Sequence, residues 1–253
     1  MKLLAAGAPQ IQIGGQQTFH LAGLTLDTYV IVGTLASAAI VLGLSFRMRA
    51  KLTSGVPGKL QLCFELLVDQ VRDLTGSVMG SDGDRFVPLG VFLFFFILVC
   101  NWIEFIPSTL QVGISPELLP APTSDVNLPA ALAVMVFLLC HFLSIRKRGL
   151  GGYLKHYTKP FWPMTPINVI EEITKPITLT FRLFGNLFAG GLMIVVVAVV
   201  GTQILHPIGG EAATAIMTAI WKPFDTILIG GIQALIFALL TIIYLGSATS
   251  TEH

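Results

Sequence analysis

The chain has 253 residues, 54% of them hydrophobic and only 11% charged, with a formal net charge of +1. Soluble domains carry about 25% charged residues, so this balance excludes an ordinary soluble protein and points to one that lives in a bilayer. Near-neutral charge argues against nucleic acid as a partner. Cys63, Cys100 and Cys140 lie far apart with no CxxC or Cys/His spacing, so no disulfide framework, metal site or cofactor attachment is expected.

Met1-Lys2 before Leu3-Leu4 faintly suggests a signal peptide, but Gly7, Pro9 and Gln10 interrupt the apolar run, and the first 26 residues are read as a short uncleaved tail. Residues 28–46 are uncharged and end at Arg47, Arg49 and Lys51, which predicts a first spanning helix meeting a basic cytoplasmic flank. Over 58–78, Leu60, Phe64, Leu67, Val71, Leu74 and Val78 form one apolar stripe with charges off it. That pattern predicts an amphipathic helix lying in the interface, or one packed on protein. Residues 86–103 and 128–145 are the second and third spans. Thr165-Pro166 predicts an N-cap followed by proline at the first helical position. The fourth span runs from about 166 to 200 and the fifth from about 211 to 247; both exceed the roughly 20 residues of a perpendicular crossing and should tilt. The expectation is one all-α integral membrane domain over residues 1–253, with five transmembrane helices and one interfacial helix.

The connections after spans one and three hold eleven Lys and Arg residues, whereas the opposite side holds only Lys2 and Lys222. The positive-inside rule then places the N-terminus outside and the C-terminus in the cytoplasm.

The fourth span carries what a lipid-facing helix avoids. Glu171, Lys175, Thr178, Arg182 and Asn186 are spaced 4, 3, 4 and 4, one polar track along a helix. Glu171 can pair with Lys175 at i, i+4, but no acid stands three or four residues from Arg182. An arginine within a bilayer costs at least about 2.5–3.5 kcal/mol and is normally paired or functional. Arg182 lies sixteen residues past Pro166, about 24 Å along a helix, which makes snorkelling long. Gly185 and Ala189 beside it leave a shallow surface on which another helix can pack closely, and a helix bearing a carboxylate fits.

On the last span Thr226, Gly230, Gln233, Phe237 and Thr241 share a face. Gln233 suits hydrogen bonding near a charge, or simple interhelical contact. Asp225 is either a titratable group toward the outer side or a helix-end carboxylate beside Lys222. The acids divide by depth, Glu171 and Glu172 on the cytoplasmic side of Arg182, Asp225 and Asp125 on the outer side. Pro176 removes the hydrogen bond to the Glu172 carbonyl, which favours a hydrated pocket there. His20, His141 and His156 are read as solvated or structural, and His206 as part of an outer loop.

Lys175-Pro176, then Phe181-Arg182-Leu183-Phe184-Gly185-Asn186-Leu187-Phe188-Ala189-Gly190, then Gln233 to Phe237 and Leu240 to Leu245 together resemble subunit a of the F-type ATP synthase. The resemblance covers most of the chain and is greatest to the actinobacterial form, whose Trp-Lys-x-Phe-Asp stretch is similar to Trp221–Asp225. It implies a proton-translocating membrane stator in the bacterial plasma membrane, beside a ring of c subunits and the b-type peripheral stalk subunits, with Arg182 as the essential arginine. It also implies that Asn186, Gln233 and the Ser124–Asn127 segment, with Asp125, belong to an outer proton half-channel. Many members of the family carry a glutamate at the position of Gly191 and a histidine near Thr226; this chain has neither, which leaves Asp225 as the candidate titratable group. Glu171, Glu172 and Lys175 would form the inner path. No GxxxxGK[ST] sequence occurs, so the chain is not expected to be an enzyme on its own. The competing class, a stand-alone secondary ion transporter, predicts inverted repeats and matched broken helices, which the sequence lacks. A purely structural scaffold predicts that Arg182 tolerates replacement by Ala.

Overall fold

The computed structural model describes residues 18–21, 24–52, 58–103, 121–158, 161–201 and 210–249. It is an all-α membrane protein, the described residues adding to the helices one short strand pair. In place of a plain tail, β1 (Thr18–Leu21) pairs antiparallel with β2 (Leu24–Asp27), Thr18 opposite Asp27 and Leu21 opposite Leu24. Then follow α1 (Thr28–Lys51), α2 (Lys59–Met79), α3 (Val87–Ile103), α4 (Asn127–Tyr157), α5 (Thr165–Val199), α6 (Gly210–Pro223) and α7 (Gly230–Thr249). Among the described residues, five stretches are long and apolar enough to cross a membrane: Val30–Lys51, Gly83–Ile103, Asn127–Lys155, Trp162–Val197 and Ala212–Thr249. The last two, at 36 and 38 residues, exceed a perpendicular crossing and require tilt or ends outside the hydrocarbon.

The main core lies among α3, α4, α5 and α7. Leu93, Ile97, Val136, Leu179, Leu183 and Leu245 are almost fully buried in it. A second cluster seats α2. Its stripe residues Phe64, Leu67, Val71 and Leu74 pack with Val87 and Val91 of α3 and Ile242 of α7, so that face rests on protein while Leu62 and Leu66 remain exposed. Helix α1 is peripheral, burying Gly33, Ser37 and Val41 at i, i+4 spacing and exposing Leu35, Leu42, Leu44 and Phe46.

Two departures from the expected helix boundaries bear on function. Helix α4 continues past residue 145 to Tyr157 through a kink at Gly149, whose φ of 70° is left-handed; the residues beyond the kink return toward the bundle. The fifth span is interrupted, because Phe224–Ile229 forms a π-helical segment directly after Pro223, between α6 and α7. Thr165 also differs from the expected N-cap. It is already the first residue of α5, and its hydroxyl donates to the Trp162 carbonyl at 2.7 Å.

Candidate functional site

On α5 the apolar face Leu179, Leu183 and Leu187 is buried against the core, which rotates the polar track outward. Arg182 is exposed and makes no side-chain hydrogen bond or ion pair with the described residues; the neighbouring Phe181 is exposed too. Asn186 and Gly185 are half-buried, Ala189 is exposed, and no atom lies within 4 Å of the place a Gly185 Cβ would take. The shallow surface beside Arg182 is therefore open.

At the end of the bundle that carries Arg146–Arg148, a cavity of about 520 Å³ lies between α4, α5 and α7. Glu171, Glu172, Lys175 and Pro176 line it from α5, His141, Tyr153 and Tyr157 from α4, and Tyr244 from α7. The ion pair differs from the expected one. Lys175 Nζ reaches Glu172 at 2.5 Å, at i, i+3, and lies 5.7 Å from the Tyr244 ring centroid. Glu171 is exposed and makes no ion pair with the described residues. The physical reason is direction: the lysine turns toward the aromatic wall of the cavity, on the side of Glu172. The kink at Gly149 brings Tyr153 and Tyr157 to this site, where their hydroxyls lie 2.9 Å apart and the Asn168 amide donates to the Tyr157 carbonyl at 2.9 Å. Burial, the bond to Tyr153 and the charge of Glu172 all push the Tyr157 phenol above the ordinary tyrosine range. His141 lines the same cavity, with Nδ1 3.0 Å from the Phe137 carbonyl oxygen. His20 and His156 have side chains outside the described ones, and His206 lies outside the described residues.

At the opposite end, Asp225 is 5% exposed within the π segment. Its carboxylate lies against Gly190 of α5, where an added Cβ would stand 2.5 Å from Asp225 Cγ. Trp221 Nε1 donates to the Gly190 carbonyl at 3.4 Å. Asp225 is buried within an unbroken helical run, because the chain passes from Pro223 directly into the π turn instead of ending the helix there. Asp125 is half-buried and accepts a hydrogen bond from the Asn127 backbone N–H at 2.7 Å.

These contacts set relative depth. Helix α5 meets the last span at Gly190 with Asp225 and at Lys175 with Tyr244, so the two run antiparallel. Arg182 precedes Gly190 by eight residues and Gln233 follows Asp225 by eight, which puts both about 12 Å from that contact at 1.5 Å per residue. Arg182 and Gln233 are level. Gln233 is half-buried and makes no side-chain hydrogen bond with the described residues. The structure thus gathers Glu172 and Lys175 in the basic-end cavity with Glu171 along its lining, holds Asp225 against α5 at the far end, and leaves Arg182 open between them.

Sequence reasoning passes over Asn101 and Thr123. Both are fully buried beside the π segment, Thr123 Oγ1 donating to Asn101 Oδ1 at 2.8 Å and Asn101 Nδ2 to the Gly230 carbonyl at 3.0 Å. An asparagine ending an otherwise apolar span is the available signal. The described residues contain no group of three or more His, Cys, Asp or Glu that could hold a metal.

Apolar helices long enough to cross a bilayer, one of them carrying a polar track whose Arg182 makes no ion pair among the described residues, define the class as a multi-pass membrane protein with a charge set inside a span. The ATP synthase A chain family model matches residues 30–246. Relatives described as ATP synthase subunit a include that of Acidothermus cellulolyticus, 42% identical over 96% of this chain and 85% of its own length. That of Mycobacterium tuberculosis is 40% identical over 97% of this chain and 96% of its own. That of Bacillus subtilis is 36% identical over 94% and 99% respectively. The chain belongs to the ATP synthase A chain family.

Proposed function

We propose that this chain is the proton-translocating stator subunit of an F-type ATP synthase in a bacterial plasma membrane, working against a ring of c subunits and held by b-type peripheral stalk subunits. Arg182 attracts the deprotonated carboxylate of the ring and opposes passage of a second cation, so protons cannot leak straight through. An outer half-channel through Asp125, Asp225, Asn186 and Gln233 delivers protons to the ring. An inner one through Glu171, Glu172 and Lys175 releases them to the cytoplasm. Because the two paths end at different depths, a proton crosses only by riding the ring, and that coupling turns the gradient into rotation. The Lys and Arg count of the connections supports an outer N-terminus and a cytoplasmic C-terminus.

The observation that carries this reading is Arg182, exposed on α5 and without a partner among the described residues, level with Gln233 and flanked by an open small-residue surface. A desolvated arginine demands an anionic partner, and a second chain's carboxylate meets that demand. The test is Arg182→Ala in the assembled complex. Proton-driven ATP synthesis in sealed vesicles is expected to vanish while subunit composition stays intact; retained coupled synthesis would refute the stator role.

A further inference from the structure

The outer acids sit on segments that are not otherwise continuous. Asp225 is in the π turn between α6 and α7, and Asp125 is in the turn before α4. A π turn is rare and recurs at functional sites, and Pro223, just before it, supplies no N–H. Something has to hold the widened turn so that Asp225 stays against Gly190.

Asn101, at the end of α3, does this through both ends of its amide. The Gly230 carbonyl can only accept, so the nitrogen of the amide must face it, and the 3.0 Å bond fixes the junction where the π segment returns to α-helix. That leaves Oδ1 to accept, and the Thr123 hydroxyl donates to it at 2.8 Å. Thr123 stands two residues before Asp125. All three groups are buried, where an unmade hydrogen bond is costly. The approach is close, because a Cβ at Gly230 would lie 3.1 Å from Asn101 Cβ.

We infer that Asn101 is a positioning residue for the outer proton path: it couples the turn carrying Asp125 to the π segment carrying Asp225, so that the two acids are set as one unit. The amide cannot ionise at physiological pH and moves no proton itself. This rests on the reading of Asp225 as an outer titratable group. Among the described residues, the ionisable groups nearest Asp225 along the elements packed on the π segment are Lys222 one turn earlier, Arg182 about two turns inward on α5 and Cys100 beside Asn101 on α3; Glu211 is at the far end of α6, Glu171, Glu172 and Lys175 at the far end of α5, and Tyr244 toward the far end of α7. Asn101 is hydrogen-bonded to both acid-bearing segments, through its amide nitrogen to one and its amide oxygen to the other.

The experiment uses the assembled complex in sealed vesicles and measures proton flux as a function of outer pH. Asn101→Asp preserves shape but sets an acceptor against the Gly230 carbonyl whenever the new carboxyl is ionised, and because it adds a titratable group, Thr123→Val, which adds none, is read beside it. Thr123→Val removes the hydroxyl that orients the amide, and Thr123→Ser restores it. Asn101→Asp and Thr123→Val should move the half-maximal pH by about half a unit or more, the scale of one net hydrogen bond, and Thr123→Ser should bring the wild-type profile back. In an Asp225→Asn background the Asn101 substitution should shift nothing further. If Asn101→Asp yields no complex, Thr123→Val and Thr123→Ser carry the test. Wild-type profiles in Asn101→Asp and Thr123→Val, with an altered profile in Asp225→Asn, overturn the positioning role alone. A wild-type profile in Asp225→Asn overturns the reading of Asp225 and the inference with it.

Discussion

The Asp225 carboxylate lies against the Cα of Gly190, so close that no side chain fits at that position without displacing it. A carboxyl group in the last span thereby takes up the space that any residue larger than glycine would fill on α5. Two elements that meet through a carboxylate and a bare backbone are locked in register, and that register sets Arg182 level with Gln233.

Gly190→Ala should therefore damage this contact specifically. Forcing a methyl group into a filled site costs about 1–3 kcal/mol, and the least resisted movement is displacement of Asp225. Lower assembly yield and slower proton flux are expected. Asp225→Ala in the same chain should recover assembly but not flux. Gly191→Ala is the control, since its added Cβ would meet nothing within 4 Å, and it should assemble as wild type. Equal behaviour of the two alanine variants would show that the packing at Gly190 is immaterial.

Arg182→Lys tests what the arginine contributes beyond charge. Lysine keeps the cation but is a compact, strongly hydrated ammonium without the planar fork that grips a carboxylate at two points. Loss of one charge-assisted hydrogen bond, worth about 1.5–3 kcal/mol, predicts a fall of about tenfold or more in coupled ATP synthesis. Full activity in Arg182→Lys would mean that a mid-membrane charge of any shape suffices.

The spans, their basic flanks and the polar track of α5 are all written in hydrophobic period and charge, which depend on near neighbours along the chain. Arg182 could be singled out because its isolation is itself a local fact: no acid stands one turn away. What the pattern leaves illegible depends on contacts across the fold. The choice of Glu172 over Glu171 by Lys175 follows from where the Tyr244 ring sits on another helix. The π segment after Pro223 has only a proline and an acid as its trace, and either could equally end a helix. Asn101 acquires meaning only once Gly230, 129 positions along the chain, is found beside it. Tyr153 and Tyr157 of α4 enter the basic-end cavity through the kink at Gly149, a turn with no periodic signature. The hairpin before α1 leaves no trace in a segment read only for its apolar run.

Tyr157 supplies a pH dependence. Its phenol is held above the ordinary value of 10.0 by burial, by the Tyr153 hydroxyl and by the charge of Glu172. The folded protein thus favours the neutral phenol relative to the unfolded chain. That contribution is fully present below pH 10 and is lost as pH rises through that value toward the folded-state pKa. Thermal stability of the purified complex should fall as pH is raised above 10, and Tyr157→Phe, which cannot ionise, should flatten that fall. Phenolate absorbance is the direct check: the variant should lose a late-titrating tyrosine, and loss of an ordinary one would contradict the buried environment.

The cavity beside Glu172 makes the inner path accessible to chemical labelling. Glu171 is exposed, and Glu172 and Lys175 retain 27% and 21% side-chain exposure on a cavity of about 520 Å³. Lys175 serves only Glu172 at close range, and a second carboxylate without a hydrogen-bonding partner is costly to keep out of water, so water has to reach this end of α5. Cys63 is exposed whereas Cys100 and Cys140 are buried, so the native thiols are first replaced, the buried pair with Ala to avoid stranding a hydroxyl. Glu172→Cys in that background is then exposed to a membrane-impermeant thiol reagent from either face of sealed vesicles. Reaction from the cytoplasmic face is expected, with slower reaction at a Leu179→Cys site, two turns further in and 2% exposed. Reaction from the outer face alone would invert the topology, and none from either face would remove the inner aqueous path from the mechanism.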